Sequence, residues 1–570
     1  MKTMQAGPLV AGYENGFLRR ITYGETEVLR MVYFALRDHN WNTLNSHIEN
    51  EMISINGDDF EIAYECFHLD GGIAVMEWQA RIQGNSGGVI TFEIRGKALE
   101  NFRRNRAGFC ILHPLNVAGQ ECTITHPNGT KTTRGFPVEI SPENPFKHIR
   151  SMRWESAGIP FTLDFDGDVF ETEDQRNWGD ASCKTFCTPL DIPFPVELRR
   201  GDKVYQRVTF GPQGRLQPVA LGAPYISVRD TGISGTLPLL GISASTEHHA
   251  LPAAAISLLR DLKLAHYRID VHPGRENWVT DFSIAYETGH ALALPLEIAL
   301  HLTEEFKGEL EAFVVVCHQN RVRLSKVLLL SSNGLVTGQE LIDEVAALKK
   351  AFPKVLIGAG TNYNFNEINK NRFDASEADY ISFSIDPQEH AFDDLTILEN
   401  IGALEHLVRS TKAIYGADKP VHISPLTLRK RFNPYATNVD DFKIDELKKA
   451  DPRQKTKFGA VWTFGAICGL AAGGASAITF YQTVGGQGIL SENDETYPLY
   501  DTLKSFTPYQ GKSIGLPESS NPLAIRGIVL DGKTLALVNL TQEEQTVRWN
   551  DQVDIILGPQ EMEFHALNRS

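Results

Sequence analysis

Two different periodicities divide this chain. From residue 7 to about residue 212, short apolar runs recur between Gly, Asn, Asp and Pro punctuation, as in ITYGETEVLRMVYFALRD, GGIAVMEWQARIQG and GGVITFEIRGKAL. In KVYQRVTF the alternation is explicit, with Val204, Gln206, Val208 and Phe210 on one side of the pleat. Period-two alternation is the mark of a half-buried strand. Many short strands separated by turn signals predict a β-sandwich over residues 1–214.

After Pro212 the period changes. From about Leu237, short apolar strands alternate with amphipathic helices. PLLGISAS leads to a helix around 251–263, LAHYRIDV to a segment near 278–289, and LALPLEIAL to a helix near 304–318. SKVLLLSS leads to 338–352, KVLIGAGT to a loop, and DYISFSI to a helix over 395–415. KPVHISPL leads to a long loop and a helix over 455–472, and SAITFYQ closes the set. Strict strand-then-helix order implies parallel pairing, and about eight repeats imply closure into a (β/α)₈ TIM-like barrel, placed at residues 215–515. An open doubly wound sheet is the runner-up, but no G-x-G-x-x-G follows an early strand. The tail, 516–570, reads as a small C-terminal β segment. IRGIVLDGKTLALVNL is its hairpin, turning at Asp531–Gly532.

Composition narrows the function. The 570 residues carry a net charge of −16, which opposes a nucleic-acid or anionic-membrane surface. Seven scattered Cys without a C-x-x-C pair fit reduced thiols, not a disulfide framework or zinc knuckle. The start, MKTMQAGPLVAGYENG, lacks the apolar stretch of a secretory signal, and the apolar run 464–475 is too short and Gly-rich to span a bilayer. Because a large folded sheet often precedes the barrel in sugar enzymes, the sandwich-then-barrel order adds the expectation of a cytoplasmic enzyme acting on a carbohydrate.

In a barrel of this kind the chemistry sits at the C-terminal strand ends. The polar residues just past the apolar runs are Glu247 and His248; Arg268, Asp270 and His272; Glu297 and His301; Asn333; Asn362, Asn364, Asn366 and Glu367; Asp386 and His390; Arg429 and Arg431; and Tyr481 and Gln482. Each has a structural account beside the catalytic one. Arg268 and Asp270 share a strand face and can be a buried ion pair. Glu297 interrupts an apolar strand, so it must be paired or functional. TNYNFNEIN can be an Asn-rich turn. His390 can belong to a helix start capped by Asp393 or Asp394. Arg429 and Arg431, two apart, place both guanidinium groups on one side of an extended segment. There they suit a carboxylate or oxyanion, or merely form a solvated cluster. In the sandwich, GDVFETEDQRNWGDASCKT packs Glu173, Arg176 and other charges around Trp178. It is either a structural buckle or a loop that completes the site.

Some chemistries lack their signature. No G-x-S-x-G elbow and no H-E-x-x-H occur. Strand four ends in SSNG and strand seven in ISPLTLR, without the carboxylates of many barrel glycosidases. Asn366–Glu367 follows strand five, so a retaining glycosidase requires a different strand count.

The motifs FETEDQRNWGDASCKT, RNRAGFCILHP, THPNG, GFPVEISPENPF, TNYNFNEIN, FSIDPQEHAFDD and SPLTLRKRFNP resemble the D-apionate lactonase family of bacterial apiose catabolism, over residues 30–505. The resemblance implies hydrolysis of D-apionolactone to D-apionate in the cytoplasm, and assigns no residue. Lactone opening needs an activated water, a stabilised oxyanion and a proton for the leaving alkoxide. The residues expected to supply these are Glu297 or Glu367 as base, His390 as acid/base partner, and Arg429 or Arg431 as clamp. Arg268, Asp270, Asn364, Asn366, Tyr481, Glu173 and Arg176 are the further substrate contacts. No cofactor or metal is required; His248, His272 and Asp270 form the single conceivable ligand set. The expected partner is a small sugar lactone. A glycoside hydrolase and a non-catalytic sugar-acid binder are the alternatives, separated from a lactonase by turnover of lactones against aryl glycosides.

Overall fold

The computed structural model describes residues 1–217, 223–246, 250–435 and 450–567. The chain forms two compact units. The first is Met1–Gln175 with Ala181–Ala223; the second is Arg176–Asp180 with Pro224–Ser570.

Among the described residues, the first unit holds two nine-stranded sheets. One is centred on Thr26–Asp38 paired with Phe102–His113. The other runs through Asp59–Asp70, Ile73–Gly84, Ile90–Ala98 and Lys203–Pro212. Every pairing is antiparallel, and the inner faces share one apolar core, which makes the unit a β-sandwich. The Phe34 ring, from the first sheet, meets Trp78 and Phe92 of the second at 5.4 and 6.1 Å. Of the alternating run, Gln206, Val208 and Phe210 are buried. Gln206 is tolerated there because Nε2 donates to the Ala107 carbonyl (3.2 Å) and Oε1 accepts from the Phe109 N–H (3.0 Å).

The barrel lies in the second unit. Its eight strands are Leu239–Ser243, His266–Val271, Leu296–Leu302, Leu324–Ser331, Leu356–Gly360, Tyr380–Ile385, Val421–Leu426 and Ala477–Val484. All pair in parallel, and the first pairs with the eighth, closing the sheet. The strands are buried almost throughout, as a sheet covered on both faces requires. The apolar run 464–475 is most of a buried helix, Lys457–Gly473. Its Gly465 and Gly469 let the backbone come against Ile401, where a Cβ would intrude.

The tail is built from both sides of the barrel. Ile226–Arg229 pairs with Gln545–Trp549, and Ser234–Thr236 with Ser513–Gly515. The expected hairpin forms between Ile525–Leu530 and Thr534–Asn539, with positive φ at Asp531 (50°) and Gly532 (64°). No helix among the described residues is long and apolar enough to cross a membrane.

Candidate active site

The second strand sends Arg268 and Asp270 into the barrel, two residues apart on one face. Arg268 is fully buried, and its guanidinium is used on every side. Nε and Nη2 donate to Asp270 at 3.2 and 2.9 Å, Nη1 to Ser424 Oγ at 2.9 Å, and Nη2 also to Asn362 Oδ1 at 2.8 Å. Burial works against this charge, and Asp270 and Glu297 outweigh it, so Arg268 stays protonated. Asp270 in turn bonds His301 Nε2 at 2.9 Å. Partial burial opposes the Asp270 carboxylate, whose side chain is 35 % exposed, but Arg268 and His301 hold it well below its ordinary value. The His272 ring stacks on His301, centroids 4.2 Å apart. His272 and His301, with Arg275, Ser331, Asn362, Tyr363 and Phe432, line a cavity of about 320 Å³ over strands two to five.

A second, narrow cavity of about 30 Å³ lies over strands five to seven. It shares the Asn362, Tyr363 and Phe432 walls, and is otherwise lined by Trp178, Glu367, Asp386, Lys430, Arg431 and Tyr435 among others. It has room for one or two waters. Glu367 sits on the short helix Phe365–Lys370 that follows strand five, and is 1 % exposed. Its Oε1 accepts from Tyr435 (2.6 Å) and from Asn366 Nδ2 (3.1 Å), while Oε2 has no partner among the described residues. Burial outweighs both hydrogen bonds and pushes its carboxyl above the ordinary value. Burial, with Glu389 beside it, pushes Asp386 up well beyond its ordinary value. Arg431 donates from Nη2 to both oxygens of Asn362, at 2.7 and 2.8 Å. Burial, with Arg268 nearby, lowers Arg431 to about 9, which leaves it charged at neutral pH. Glu389 is held by Asn364 Nδ2 (2.7 Å) and Lys430 (3.4 Å). Asn364 stands where a helix cap would, but it caps nothing; its amide goes to Glu389 instead.

The mouth therefore brings together Arg268, Asp270, Asn364, Asn366, Glu367 and Arg431. His272, His301, Asn362 and Asp386 line the cavities beside them, whereas Glu297, Arg429, Tyr481 and His390 do not. Glu297 is the second residue of its strand, at the end of the barrel opposite the mouth. It is 1 % exposed and bonded to Lys326 (3.3 Å), His266 (3.2 Å) and the Ser424 hydroxyl. Burial would raise its carboxyl, but the Lys326 ammonium, aided by Arg268, holds it below the ordinary value. Glu297 is thus fully paired as a counter-ion and lines neither cavity. Arg429 and Arg431 diverge, because the seventh strand ends at Leu426 and the two-residue alternation ends with it. Arg429 Nε goes to Asp451 at 3.1 Å instead. Tyr481 turns outward to Thr463 of the helical layer, its hydroxyl 2.9 Å away.

His390 Nδ1 pairs with Asp180 at 2.6 Å and its ring meets Trp178 edge-on at 6.0 Å. His390 is not itself in the cavity wall, whereas Trp178 is. The helix start nearby is capped by Asp393, whose side chain accepts from Thr396 N. The sandwich motif splits. Glu173 ion-pairs with Lys184 directly across two strands of the first unit. Arg176 belongs to the second unit, buried with Nη1 3.4 Å from His406. Glu247 and His248 lie outside the described residues. Among the described residues, no set of three or more His, Cys, Asp or Glu is grouped to hold a metal.

Sequence reasoning missed Lys430 and Tyr435 as cavity walls, and placed Asp386 and His301 among the strand-end candidates without giving them a role. The position of His301 near the end of LEIALHL, four residues beyond Glu297 on the same face, was the available signal.

Residues 1–215 match the family described as D-apionate lactonase, N-terminal domain, and residues 240–511 that described as D-apionate lactonase, TIM barrel domain. A D-apionate lactonase of Brucella anthropi is 29% identical over 582 residues, covering 98% of this chain and 95% of that one. Among solved structures, a family 51 α-L-arabinofuranosidase from Bifidobacterium longum aligns with a TM-score of 0.42 at 10% identity, over 61% of this chain and 96% of that one. A GH30 endoxylanase from Clostridium papyrosolvens aligns with a TM-score of 0.39 at 11% identity, over 60% and 97%.

Proposed function

This chain belongs to the D-apionate lactonase family, and on that footing we propose that it hydrolyses a sugar lactone, D-apionolactone to D-apionate, as a cytoplasmic catabolic enzyme. The observation that carries the reading is Glu367. It is a buried carboxyl with one oxygen anchored and the other unpartnered, in a water-sized cavity that also holds Asp386 and Arg431.

The chemistry follows from the charges. Glu367 takes a proton from a water as its oxygen attacks the lactone carbonyl; a raised carboxyl pKa makes it a stronger base. The developing oxyanion meets the Arg431 guanidinium and, beside it, Asp386, whose carboxyl burial pushes well up toward the protonated form that can donate. Tyr435 and Asn366 fix the direction of the base. The glycosidase alternative lacks its usual parts. Strand five precedes Asn366–Glu367, and strands four and seven are followed by Ser332–Asn333 and Thr427–Leu428.

The test is proton release with D-apionolactone and a panel of aldonolactones, beside chromogenic aryl glycosides. Turnover of lactones alone is expected, with Glu367→Gln losing at least ~100-fold in kcat. Hydrolysis of aryl glycosides with inert lactones would overturn the reading.

A further inference from the structure

The larger cavity contains a relay that the steps above leave unused. His301 Nε2 is held by Asp270, and Asp270 is gripped by both ends of the Arg268 fork. Arg268 is locked by Ser424 and Asn362, and Asn362 also receives Arg431 from the narrow cavity. His301 lines the larger cavity, and with Nε2 taken, Nδ1 is its ring nitrogen for a ligand. A histidine whose second nitrogen is fixed by an anchored carboxylate is oriented for proton transfer.

We infer that His301 is the catalytic acid that protonates the departing ring oxygen, with Asp270 as its positioning residue. This rests on the lactonase reading. The water oxygen bonds to the carbonyl carbon and its proton passes to Glu367. The tetrahedral intermediate then collapses: the carbonyl re-forms, the bond from that carbon to the ring oxygen breaks, and its electron pair leaves on that oxygen. The oxygen takes the Nδ1 proton of the His301 imidazolium. His301 regains a proton from solvent, and Glu367 and the new carboxylic acid each release one, so lactone and water become hydroxy-carboxylate and one proton. The carbonyl carbon then lies beside Asn362, which lines both cavities, with its carbonyl oxygen toward Arg431 and its ring oxygen toward His301. The titratable and charged groups around His301 are Asp270 and Arg268 on the second strand, His272 and Arg275 beyond it, and Tyr363 after the fifth.

The test compares each lactone with the thiolactone of the same ring, whose thiolate leaves without protonation. His301→Gln should lose about 10²–10⁴-fold in kcat on the lactone and less than ~10-fold on the thiolactone. It should also lose the alkaline limb of the kcat–pH profile, where the imidazolium deprotonates. Asp270→Asn keeps His301 in place but removes its counter-charge, so the alkaline limb should move to lower pH. Circular dichroism checks that both variants fold, and the limb shift in Asp270→Asn reports on the relay even if His301→Gln does not fold. Equal losses on the two substrates, or an unmoved alkaline limb, overturn the role of His301 while leaving the lactonase reading standing. A wild-type protein that opens neither substrate removes the lactonase reading itself, and this inference with it.

Discussion

Replacing Glu297 by Gln separates a structural charge from a catalytic one. The side chain is 2 % exposed and faces Lys326, 7 % exposed, at 3.3 Å. His266, also in contact, is pushed down to about 3 by burial and by Lys326, so it is neutral and cannot replace the lost anion or share the cation's charge. Glutamine keeps the shape and can still accept from Ser424, but it strands the Lys326 ammonium. Breaking one side of a buried pair costs about 3–5 kcal/mol. At about 2 °C per kcal/mol for a large domain, that is a fall in melting temperature of roughly 6–10 °C. The sign with pH follows from the depressed carboxyl: the pair's contribution is complete above the ordinary glutamate value and is lost as pH falls toward the lower folded value. The stability gap between wild type and variant should therefore be widest near neutral pH and close in acid. Urea unfolding across pH measures this, and kcat on the folded fraction measures the other half. Changing Glu297→Leu together with Lys326→Met should recover most of the stability, since the charge goes with its partner. A Glu297→Gln protein as stable as wild type but more than ~100-fold slower would refute the argument and return Glu297 to the role of base.

Glu367→Gln should show the opposite pairing, losing activity and gaining stability. Its carboxyl is raised in the folded state, so stability falls as pH rises between the unfolded and folded values, and glutamine removes that penalty; melting curves at acid and neutral pH decide it. Arg431→Met should cut kcat by about 10²–10³ with a smaller change in KM, and Arg431→Lys should restore little, because only a guanidinium can spend one nitrogen on Asn362 and still present its other N–H groups to the oxyanion; steady-state kinetics read this directly. Asp451→Asn should destabilise by about 3 kcal/mol in urea titration, since Arg429, Arg453 and Gln388 all converge on that buried carboxylate. Gly360→Ala should cost about 2–4 kcal/mol or prevent folding, because φ is 153° and a Cβ would strike the Ser382 carbonyl on the neighbouring strand.

The alternation of apolar and polar positions was enough to find all eight barrel strands and the turns of the sandwich, because burial on both faces or on one leaves a pattern in every strand. It was also enough to put Arg268 and Asp270 on one face of a strand, though not to say that this face turns to the barrel interior. It failed where geometry depends on something other than period. Glu297 and His301 have the same parity in LEIALHL, yet one lies at the barrel floor and the other at the mouth; height along the strand, not facing, separates them. Arg429 and Arg431 have the same spacing as Arg268 and Asp270, but the rule applies only within a strand, and that strand had already ended. The partners of His390 and Glu389 come from Asp180, Asn364 and Lys430, up to 210 residues away in the chain, which no local pattern encodes.

Arg268 connects these levels. Its guanidinium is buried among barrel strands, where an unpaired cation would not survive. Two anions keep it charged: Asp270 above and Glu297 below. The floor thus acts on the mouth without touching substrate. Glu297 helps hold the positive charge on Arg268, Arg268 fixes both Asp270 and Asn362, and those two in turn orient His301 and receive Arg431. A network of this kind is rigid only while every member is satisfied. That explains why the buried interior of the barrel retains Glu297, Lys326, Arg268 and Asp270 together. The floor pair contributes little net stability, since a well-packed apolar pair would serve as well. What it provides is a fixed charge beneath Arg268, the cation that holds both Asp270 and the Asn362 side chain lining the two cavities.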